Sequence, residues 1–565
     1  MNGFVQPKPV APGLSCCLLA VAPLAWLVPN HYFPWPSAWL EAVAMAALAG
    51  GALLTVHHGR SSQPLWLWCA LAIGAVGLQW ALGKVAFAGD VWMFAFYAAA
   101  FAAAVSVGRS SLDAPSPLAL FLLSIALAAA LSVGLASAQW TGAVRAWWIA
   151  DLPPGTRPFG NVAQPNHLCT VAFLGLCSLL ALRQLGRIGT ATLMTGALWL
   201  VFGMVMSASR TGWLQVAWLV ALACFMHFRR ARLVDPRPVV AVALVFALLV
   251  ALWPAINDAM LLSSGRTLAE AAQSGTRLAH WASMVDAMSR SPWTGYGFYG
   301  VNLAQQTVAL DHPPVGEHIE HAHNVLLDLL VWFGIPVGGL LIVTGSWALV
   351  RVFLRCRDAR AVWLLAGVGG VLIHGLLEYP LSYAYFLIPM GLLLGAAMSL
   401  QQGEAGPAAS PWPLRAAGAV LGAMLAVTAF DYIRAEENMR TLRMETARIG
   451  TSSVTSLAPD LLVLDQLEGL LRFARTEARP GMPQSDVETM RRMSERMGYP
   501  SVMMRYALAA GLNGDAATAR LTLDRLCRIH TAPRCEEARE AWASATTRWP
   551  VLQAVALPEL QVTQR

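Results

Sequence analysis

The segment NVLLDLLVWFGIPVGGLLIVTGSWALV, residues 324–350, contains one charged side chain, Asp328, and is long enough to cross a membrane as a helix. Similar apolar segments recur up to residue 431, separated by glycines, prolines and clusters of charge. We therefore predict an all-α polytopic membrane protein with twelve or thirteen transmembrane helices. The predicted spans are 14–28, 37–56, 64–82, 91–108, 117–139, 166–182, 190–206, 211–228, 238–254, 324–350, 361–377, 380–400 and 414–431.

Composition supports this fold class. Hydrophobic residues make up 57% of the 565 residues, charged residues only 13%, and the mean hydropathy is +0.53. A soluble domain has roughly 25% charged residues. The net charge of +7 is dispersed between apolar segments, so we expect membrane lipids as partners and no nucleic acid.

The distribution of basic residues predicts the orientation. If the N-terminus is cytoplasmic, the fourteen basic residues of the inner segments are Lys8, Arg60, Arg109, Arg183, Arg187, Arg229, Arg230, Arg232, Arg237, Arg351, Arg355, Arg357, Arg360 and Arg415. The outer connections then contain seven, which are Lys84, Arg145, Arg157, Arg210, Arg266, Arg277 and Arg290. Because short cytoplasmic loops are enriched in Lys and Arg, this asymmetry favours a cytoplasmic N-terminus.

This orientation divides the chain into two predicted domains. Residues 1–431 form the transmembrane domain with a large outer loop at 255–323, and residues 432–565 form a soluble helical domain on the outer side. The sequence from 501 to 527 predicts two helices joined by a turn at 513–515, as in helical repeats.

Two cysteines, Cys527 and Cys535, lie in this C-terminal domain. A turn near Pro533 would bring them close, and an oxidising compartment would favour a disulfide. The alternative is two free thiols buried between helices.

Arginines on the outer side are candidates for binding an anion. Arg210 lies between two apolar segments in MSASRTGW, and Arg277 begins an amphipathic stretch in SGTRLAHW. A guanidinium at the membrane edge is costly unless an anion pairs with it, and its geometry suits phosphate oxygens. The alternative is that Arg210 reaches the lipid headgroups and Arg277 is solvated.

The sequence EHIEHAHN before the span at 324–350 contains a candidate general base. His323 and Asn324 would lie at the outer end of this helix, where the helix dipole favours anions. A neutral imidazole there can accept a proton from an acceptor hydroxyl. A metal site formed by Glu317, His318 and His321 is a weaker alternative because the spacing does not match HExxH. A simple helix cap is also compatible with this segment.

Two further outer segments provide polar groups at the membrane interface. Gln164 and Asn166 begin a span in QPNHL, where amides suit sugar hydroxyls or a diphosphate, or merely cap the helix. The segment HGLLEYPLSYAYFLIP separates two spans and contains Glu378, Tyr379, Tyr383 and Tyr385. Tyrosines are frequent at membrane interfaces, so any one of them is weak evidence for a functional site. The stronger evidence is that all these motifs lie on the same predicted side of the membrane.

Taken together, these motifs resemble the O-antigen ligase superfamily, and more narrowly its PglL-type protein O-oligosaccharyltransferases. The most specific are HAHNVLLDLLVWFG at 321–334 and HGLLEYPLSYAYFLIPMGLLLG at 374–395. NHYFPWPSAWLE at 30–41 and RYALAAGLNGDAATA at 505–519 are also similar to that branch, so the resemblance spans most of the chain.

The resemblance implies a metal-independent, inverting glycosyltransferase with a GT-C-like fold and no cofactor. It would use an undecaprenyl-diphosphate-linked glycan and glycosylate Ser or Thr of periplasmic, pilin-like proteins at the outer face of the bacterial inner membrane. His323 would be the essential histidine, Arg210 and Arg277 would contact the diphosphate, and Gln164, Asn166 and one tyrosine at 379–385 would support substrate binding. The alternatives are ligation to lipid A-core, O-antigen polymerisation, or transport of the lipid-linked glycan.

Overall fold

A computed structural model of the protein describes residues 13–29, 31–55, 63–229, 232–260, 277–401, 410–449 and 457–558. Within these ranges every regular element is a helix, which confirms the predicted all-α class. Residues 261–276 of the predicted outer loop lie outside the described residues.

Thirteen helical segments occupy the predicted spans. They are α1 (Leu14–Leu19) with the 3-10 turn Ala22–Leu27, α2 (Ala38–Leu53), α3 (Gln63–Ala81), α4 (Ala88–Ser111), α5 (Pro115–Thr141), α6 (Pro165–Gln184), α7 (Thr190–Met206), α8 (Arg210–Arg229), α9 (Arg237–Ala259), α12 (Val325–Arg355), α13 (Ala359–Gly375), α14 (Ala384–Gln401) and α15 (Trp412–Thr446). In the described part of the chain, nine of them have the length and composition to cross a membrane, and four are shorter apolar helices. The protein is therefore a multi-pass membrane protein.

The remaining helices lie in the predicted outer loop and the C-terminal region. They are α10 (Arg277–Arg290), α11 (Val301–Val308), α16 (Asp465–Arg475), α17 (Gln484–Arg496), α18 (Pro500–Leu512), α19 (Ala516–Ile529) and α20 (Ala532–Arg548). Residues 513–515 separate α18 from α19, as the sequence predicts, and Asp515 caps α19 by accepting a hydrogen bond from the Thr518 N–H. The helix that contains Cys527 ends at Ile529, and the next begins at Ala532, so the turn lies close to Pro533 as predicted.

The chain forms two compact units. The first comprises residues 1–69, 96–273 and 346–426, and the second comprises 70–95, 274–345 and 427–565. The predicted domain boundary at 431/432 lies inside α15, which continues to Thr446. The second unit thus joins the C-terminal helices to parts of two earlier regions of the chain.

In the first unit α6 is the most enclosed span. It packs against α5, α7, α8 and α13, and its central residues are almost entirely buried. Close packing against α13 depends on glycine, since a Cβ added to Gly370 would lie 2.2 Å from the Phe173 ring. Small residues allow membrane helices to approach closely, and Gly370 allows α13 to pack tightly against α6.

In the second unit α12 is broken at Gly334, whose φ of 74° is readily adopted only by glycine. The loop at 292–297 enters the break. The N–H groups of Tyr296 and Gly297 donate to the carbonyls of Val331 and Trp332 at 2.8 and 3.1 Å. The Ile335 N–H in turn donates to the Pro292 carbonyl at 2.7 Å. Hydrogen bonds that the break removes from the helix are thus replaced by the loop.

Cys527 and Cys535, the pair singled out by the sequence, form a disulfide in the second unit, with their Cα atoms 4.6 Å apart. The bond joins the end of α19 to the start of α20. Immediately after α19, the Ile529 carbonyl accepts a hydrogen bond from the Gly316 N–H at 3.0 Å. The disulfide therefore borders the segment that leads to His323.

Candidate active site

The short segment 321–324 precedes α12 in the second unit and is hydrogen-bonded to both α12 and α10. The Ala322 N–H donates to Asp328 Oδ1 at 2.7 Å, and the Ala322 carbonyl accepts from Trp281 Nε1 at 2.9 Å. Asp328 is buried in the first turn of α12, and its other oxygen lies 3.8 Å from His321 Nδ1. Both backbone groups of the residue before His323 are thus fixed.

His323 itself is half-buried and has a left-handed backbone, with φ of 52°. Residues other than glycine adopt this conformation at a cost, and such residues cluster at functional sites. Asn324 follows and caps α12, because its Oδ1 accepts from the N–H groups of Leu326 and Leu327 at 3.0 and 3.4 Å. The capping alternative therefore describes Asn324, whereas His323 stands beside the cap with its imidazole outside it.

A second imidazole lies next to His323. His280 is buried on α10, and the centroids of the two rings are 6.4 Å apart. Burial first, and the neighbouring His323 second, lower the pKa of His280 to about 4. A proton on His280 is therefore disfavoured, and this ring is neutral at ordinary pH.

Arg277 is the first residue of α10, one turn before His280. Residues three apart lie on the same side of a helix, so the guanidinium and this imidazole share a face. At the opposite end of α10, Arg290 is tied to Asp286 and Asp311 at 2.7 and 2.8 Å. Arg277, which is half-buried, is thus the basic residue of α10 nearest to the His280 ring.

The three residues of the metal alternative contact different partners. The His318 ring lies 4.1 Å from that of Tyr499, His321 lies near Asp328, and the Glu317 carbonyl accepts from Gln305. Among the residues described, no group of three His, Cys, Asp or Glu side chains is arranged to hold a metal ion.

In the first unit, the structure joins two of the predicted residues directly. Asn166 Nδ2 donates to Glu378 Oε1 at 2.9 Å, and Ser209 Oγ donates to Asn166 Oδ1 at 2.7 Å. All three residues are buried. This chain of hydrogen bonds links the starts of α6 and α8 to the segment after α13, so Asn166 and Glu378 are placed to position neighbouring groups.

The three tyrosines stack in sequence beside this chain. The ring centroids of Tyr379 and Tyr383 are 5.8 Å apart, and those of Tyr383 and Tyr385 are 5.1 Å apart. Tyr385 is buried and its hydroxyl lies 3.2 Å from His167 Nδ1, whereas Tyr379 and Tyr383 are half-buried. Tyr379 and Tyr383 are thus the more exposed of the three tyrosines.

Arg210 and Gln164 each stand at the start of a helix in the first unit. Arg210 is the first residue of α8, directly after Ser209, and Gln164 precedes α6 without a side-chain capping bond. Both are half-buried. The N-terminus of a helix favours anions, which suits the predicted contact between Arg210 and a phosphate.

Sequence reasoning missed four polar residues in these arrangements. His280, Asp328, Ser209 and His167 all lie within quoted motifs. Asp328 contacts the segment just before it, whereas the other three have partners far away in the chain. For His280 a signal existed, since it lies three residues after Arg277 in the amphipathic stretch. Nothing in the sequence indicated that Ser209 would bond to Asn166.

Comparison with protein families gives three matches along the chain. Residues 195–344 match a family described as O-antigen ligase, and residues 362–544 match the C-terminal part of a virulence factor membrane-bound polymerase. Residues 158–182 match a protein glycosylation ligase family. The first match contains Arg210, Arg277 and His323, and the last contains Gln164 and Asn166.

Two curated relatives come from Acinetobacter baylyi. A general O-oligosaccharyltransferase is 25% identical over 528 residues, covering 90% of each chain. A ComP-specific O-oligosaccharyltransferase is 28% identical over 241 residues, covering 42% of this chain and 43% of the relative. Similarity to the first relative thus extends through nearly the whole chain, including the C-terminal helices.

Proposed function

Because this chain belongs to the O-antigen ligase superfamily, we propose that it is a protein O-oligosaccharyltransferase, which transfers a lipid-linked glycan to serine or threonine hydroxyls. The observation that carries the proposal is the His323 segment. Its imidazole stands at the start of α12, after a residue whose N–H and carbonyl are both hydrogen-bonded, and beside the neutral ring of His280. A general base needs this kind of fixed position.

The reaction is a displacement at the anomeric carbon. The acceptor oxygen forms a bond to that carbon, the bond from carbon to the diphosphate oxygen breaks, and the diphosphate leaves with the electron pair. His323 takes the hydroxyl proton. Because the diphosphate is a good leaving group once its charge is neutralised, electrostatic stabilisation provides much of the rate and a weak base is sufficient.

The remaining residues have supporting roles in this proposal. Arg210 and Arg277 contact phosphate oxygens, since guanidinium groups donate two parallel hydrogen bonds to such anions. Gln164, Tyr379 and Tyr383 contact the glycan or the acceptor. Asn166 and Glu378, bonded to each other and buried, position these groups, and Asn324 orients α12 beneath His323.

The carrier, the acceptor and the cellular location are also proposed. We assign undecaprenyl diphosphate as the carrier and a pilin-like periplasmic protein as the acceptor. The positive-inside asymmetry supports a reaction at the periplasmic face of the inner membrane. The match to a protein glycosylation ligase favours a protein acceptor over lipid A-core and over a second glycan.

The decisive test is an assay with the purified full chain in lipid nanodiscs. Undecaprenyl-diphosphate-linked oligosaccharide is incubated with a pilin, with the same pilin lacking its modified serine, or with lipid A-core. We expect glycan on the intact pilin only, at a rate that EDTA does not change. Glycan on lipid A-core in preference to pilin would contradict the proposed acceptor.

The location requires a separate test. A reporter enzyme that is active only outside the cytoplasm, fused after residue 449, should be active. The same reporter fused after residue 229 is the cytoplasmic control and should be inactive. Activity with the reverse pattern would place the proposed site on the wrong side of the membrane.

A further inference from the structure

A cavity of about 630 Å³ opens in the second unit, apart from the residues assigned to the reaction. Its wall is formed by the end of α3, the start of α4, the loop at 291–300 and the C-terminal half of α17. This volume falls within the roughly 300–1,000 Å³ of pockets that hold small ligands. The lining combines aromatic rings with charged side chains, among them Trp80, Asp90, Tyr299, Arg491, Arg492 and Arg496.

The three arginines of the wall pair with carboxylates, and Lys84 donates to the Gly295 carbonyl at 3.0 Å. Arg496 donates to Asp90 at 2.7 Å, and Arg491 bridges Glu488 and Glu495 at 2.7 and 2.6 Å. Arg492 also contacts Glu488, at 2.9 Å. Because the three arginines already have carboxylate partners, they do not need an ionised ligand, and the cavity differs in this from a diphosphate site.

Paired charges still offer hydrogen bonds. A guanidinium beside a carboxylate presents donors and acceptors a few ångströms apart, and a sugar hydroxyl is at once a donor and an acceptor. Such a wall therefore suits a ligand that carries many hydroxyls and no net charge.

Aromatic rings complete the wall. Trp80 is 50% exposed, and the guanidinium of Arg496 lies 4.9 Å from the centre of the Tyr299 ring. Arg496 thus covers one face of Tyr299, while Trp80 leaves a large ring surface open to a ligand. The C–H groups on one face of a pyranose pack well against such a surface, and its hydroxyls remain free for the polar wall.

The cavity borders the His323 segment through Tyr299. The ring of Tyr299 lies 5.7 Å from that of His321, two residues before His323. Tyr299 also has a left-handed backbone, with φ of 62°, so its ring direction is fixed by the surrounding loop. A ligand in the cavity would thus lie next to the reacting segment without occupying it.

We propose that this cavity is a glycan-binding subsite, which holds uncharged sugar units of the donor that lie beyond the sugar attached to the diphosphate. This inference rests on the proposed function, and it adds a reason for the enzyme to prefer an oligosaccharide to a single sugar.

The test compares two synthetic donors with the same polyprenyl diphosphate, one bearing a single N-acetylhexosamine and the other a neutral tetrasaccharide. For the wild-type protein we expect a lower KM for the longer donor. Trp80→Ala and Arg492→Gln should each reduce the KM advantage of the longer donor by about tenfold, the effect of losing one good contact. Trp80→Phe, which retains an aromatic ring, should keep most of the KM advantage. Trp412→Ala, which removes an exposed tryptophan elsewhere, should leave the KM advantage unchanged.

A second measurement separates this inference from the proposed function. Binding of the free tetrasaccharide, without lipid or diphosphate, is followed by fluorescence of the full chain and should be weakened by Trp80→Ala. Binding without any transfer would support the subsite and contradict the transferase. If Trp80→Ala and Arg492→Gln retain the KM advantage of the longer donor, or change only the KM of the pilin, the subsite is contradicted. The proposed transferase activity would not be affected by that result.

Discussion

Two arrangements of polar side chains, one in each unit, differ in what holds them in place. Asn166, Glu378 and Ser209 bond to one another and are buried, which is how a membrane protein keeps polar side chains in an apolar surrounding. In the second unit, the imidazole rings of His280 and His323 lie next to each other. The hydrogen bond from the Ala322 N–H to Asp328 fixes the backbone just before His323. We infer that the first arrangement supports the fold around its substrate contacts, whereas the second is arranged to exchange a proton.

The largest expected effect comes from His323→Ala. Transfer to pilin should fall by at least about 100-fold, the usual contribution of a general base, while the melting temperature stays the same. The matched control is His312→Ala in the same unit, where the imidazole pairs only with Asp286. If His323→Ala lowers the melting temperature as strongly as the rate, the contrast between the two units is lost.

Arg277→Ala and Arg210→Ala should have the next largest effect. Each removes a charged contact to the diphosphate, at a cost of about 1.5–3 kcal/mol, or roughly 10- to 150-fold in the KM of the donor. The KM of the pilin should change little. Arg290→Ala, at the other end of the same helix as Arg277, is the control and should behave as wild type. A change confined to the KM of the pilin would assign these arginines to the acceptor.

Glu378→Ala tests the supporting role of the first unit. It leaves the buried amide of Asn166 without its acceptor, and we expect a loss of about 1–3 kcal/mol in stability together with a partial loss of activity. Glu378→Gln keeps an oxygen that can accept from Asn166, so both the stability and the activity should be close to wild type. A variant in which stability is unchanged and kcat alone collapses would instead make Glu378 a catalytic residue.

The disulfide gives a smaller effect, confined to the C-terminal helices. Replacing both Cys527 and Cys535 by serine should lower the stability of that region by about 2–3 kcal/mol, because the loop the bond closes is short. Denatured, non-reduced protein should react with a thiol reagent at its other cysteines only, with Cys527 and Cys535 labelled after reduction. Labelling of both without reductant would contradict the bond and weaken the periplasmic placement of this region.

The smallest effect concerns pH. Since the pKa of His280 in the folded protein is about 4, below its ordinary value near 6.5, the unfolded chain binds a proton between these values that the folded chain does not. Stability should therefore decrease as pH falls from about 6.5 to about 4, by about a few degrees in melting temperature. His280→Gln should reduce this dependence, and an unchanged dependence would show that His280 is not buried as described.

Sequence reasoning succeeded where the signal is local. The thirteen apolar helical segments, nine of them long enough to cross a membrane, follow from continuous apolar sequence. The turn at 513–515 follows from Asn, Gly and Asp, and the helix start at Asn324 follows from its capping side chain. It failed where partners are distant. The bond from Asn166 to Glu378 joins residues 212 apart, and the pairing of His280 with His323 depends on the loop between them. The inclusion of residues 70–95 and 274–345 in one unit with the C-terminal helices had no local signal either.

The break in α12 also has a consequence for biosynthesis. The carbonyls that the break leaves without a helical partner bond to residues synthesised earlier. The Trp332 carbonyl accepts from Gln79, 253 residues before it, and from the loop at 292–297. Leaving such groups unbonded within a membrane would cost several kcal/mol. When the ribosome completes α12, every donor that the break requires has already been synthesised, so this helix can enter its final irregular shape without waiting for any later part of the chain.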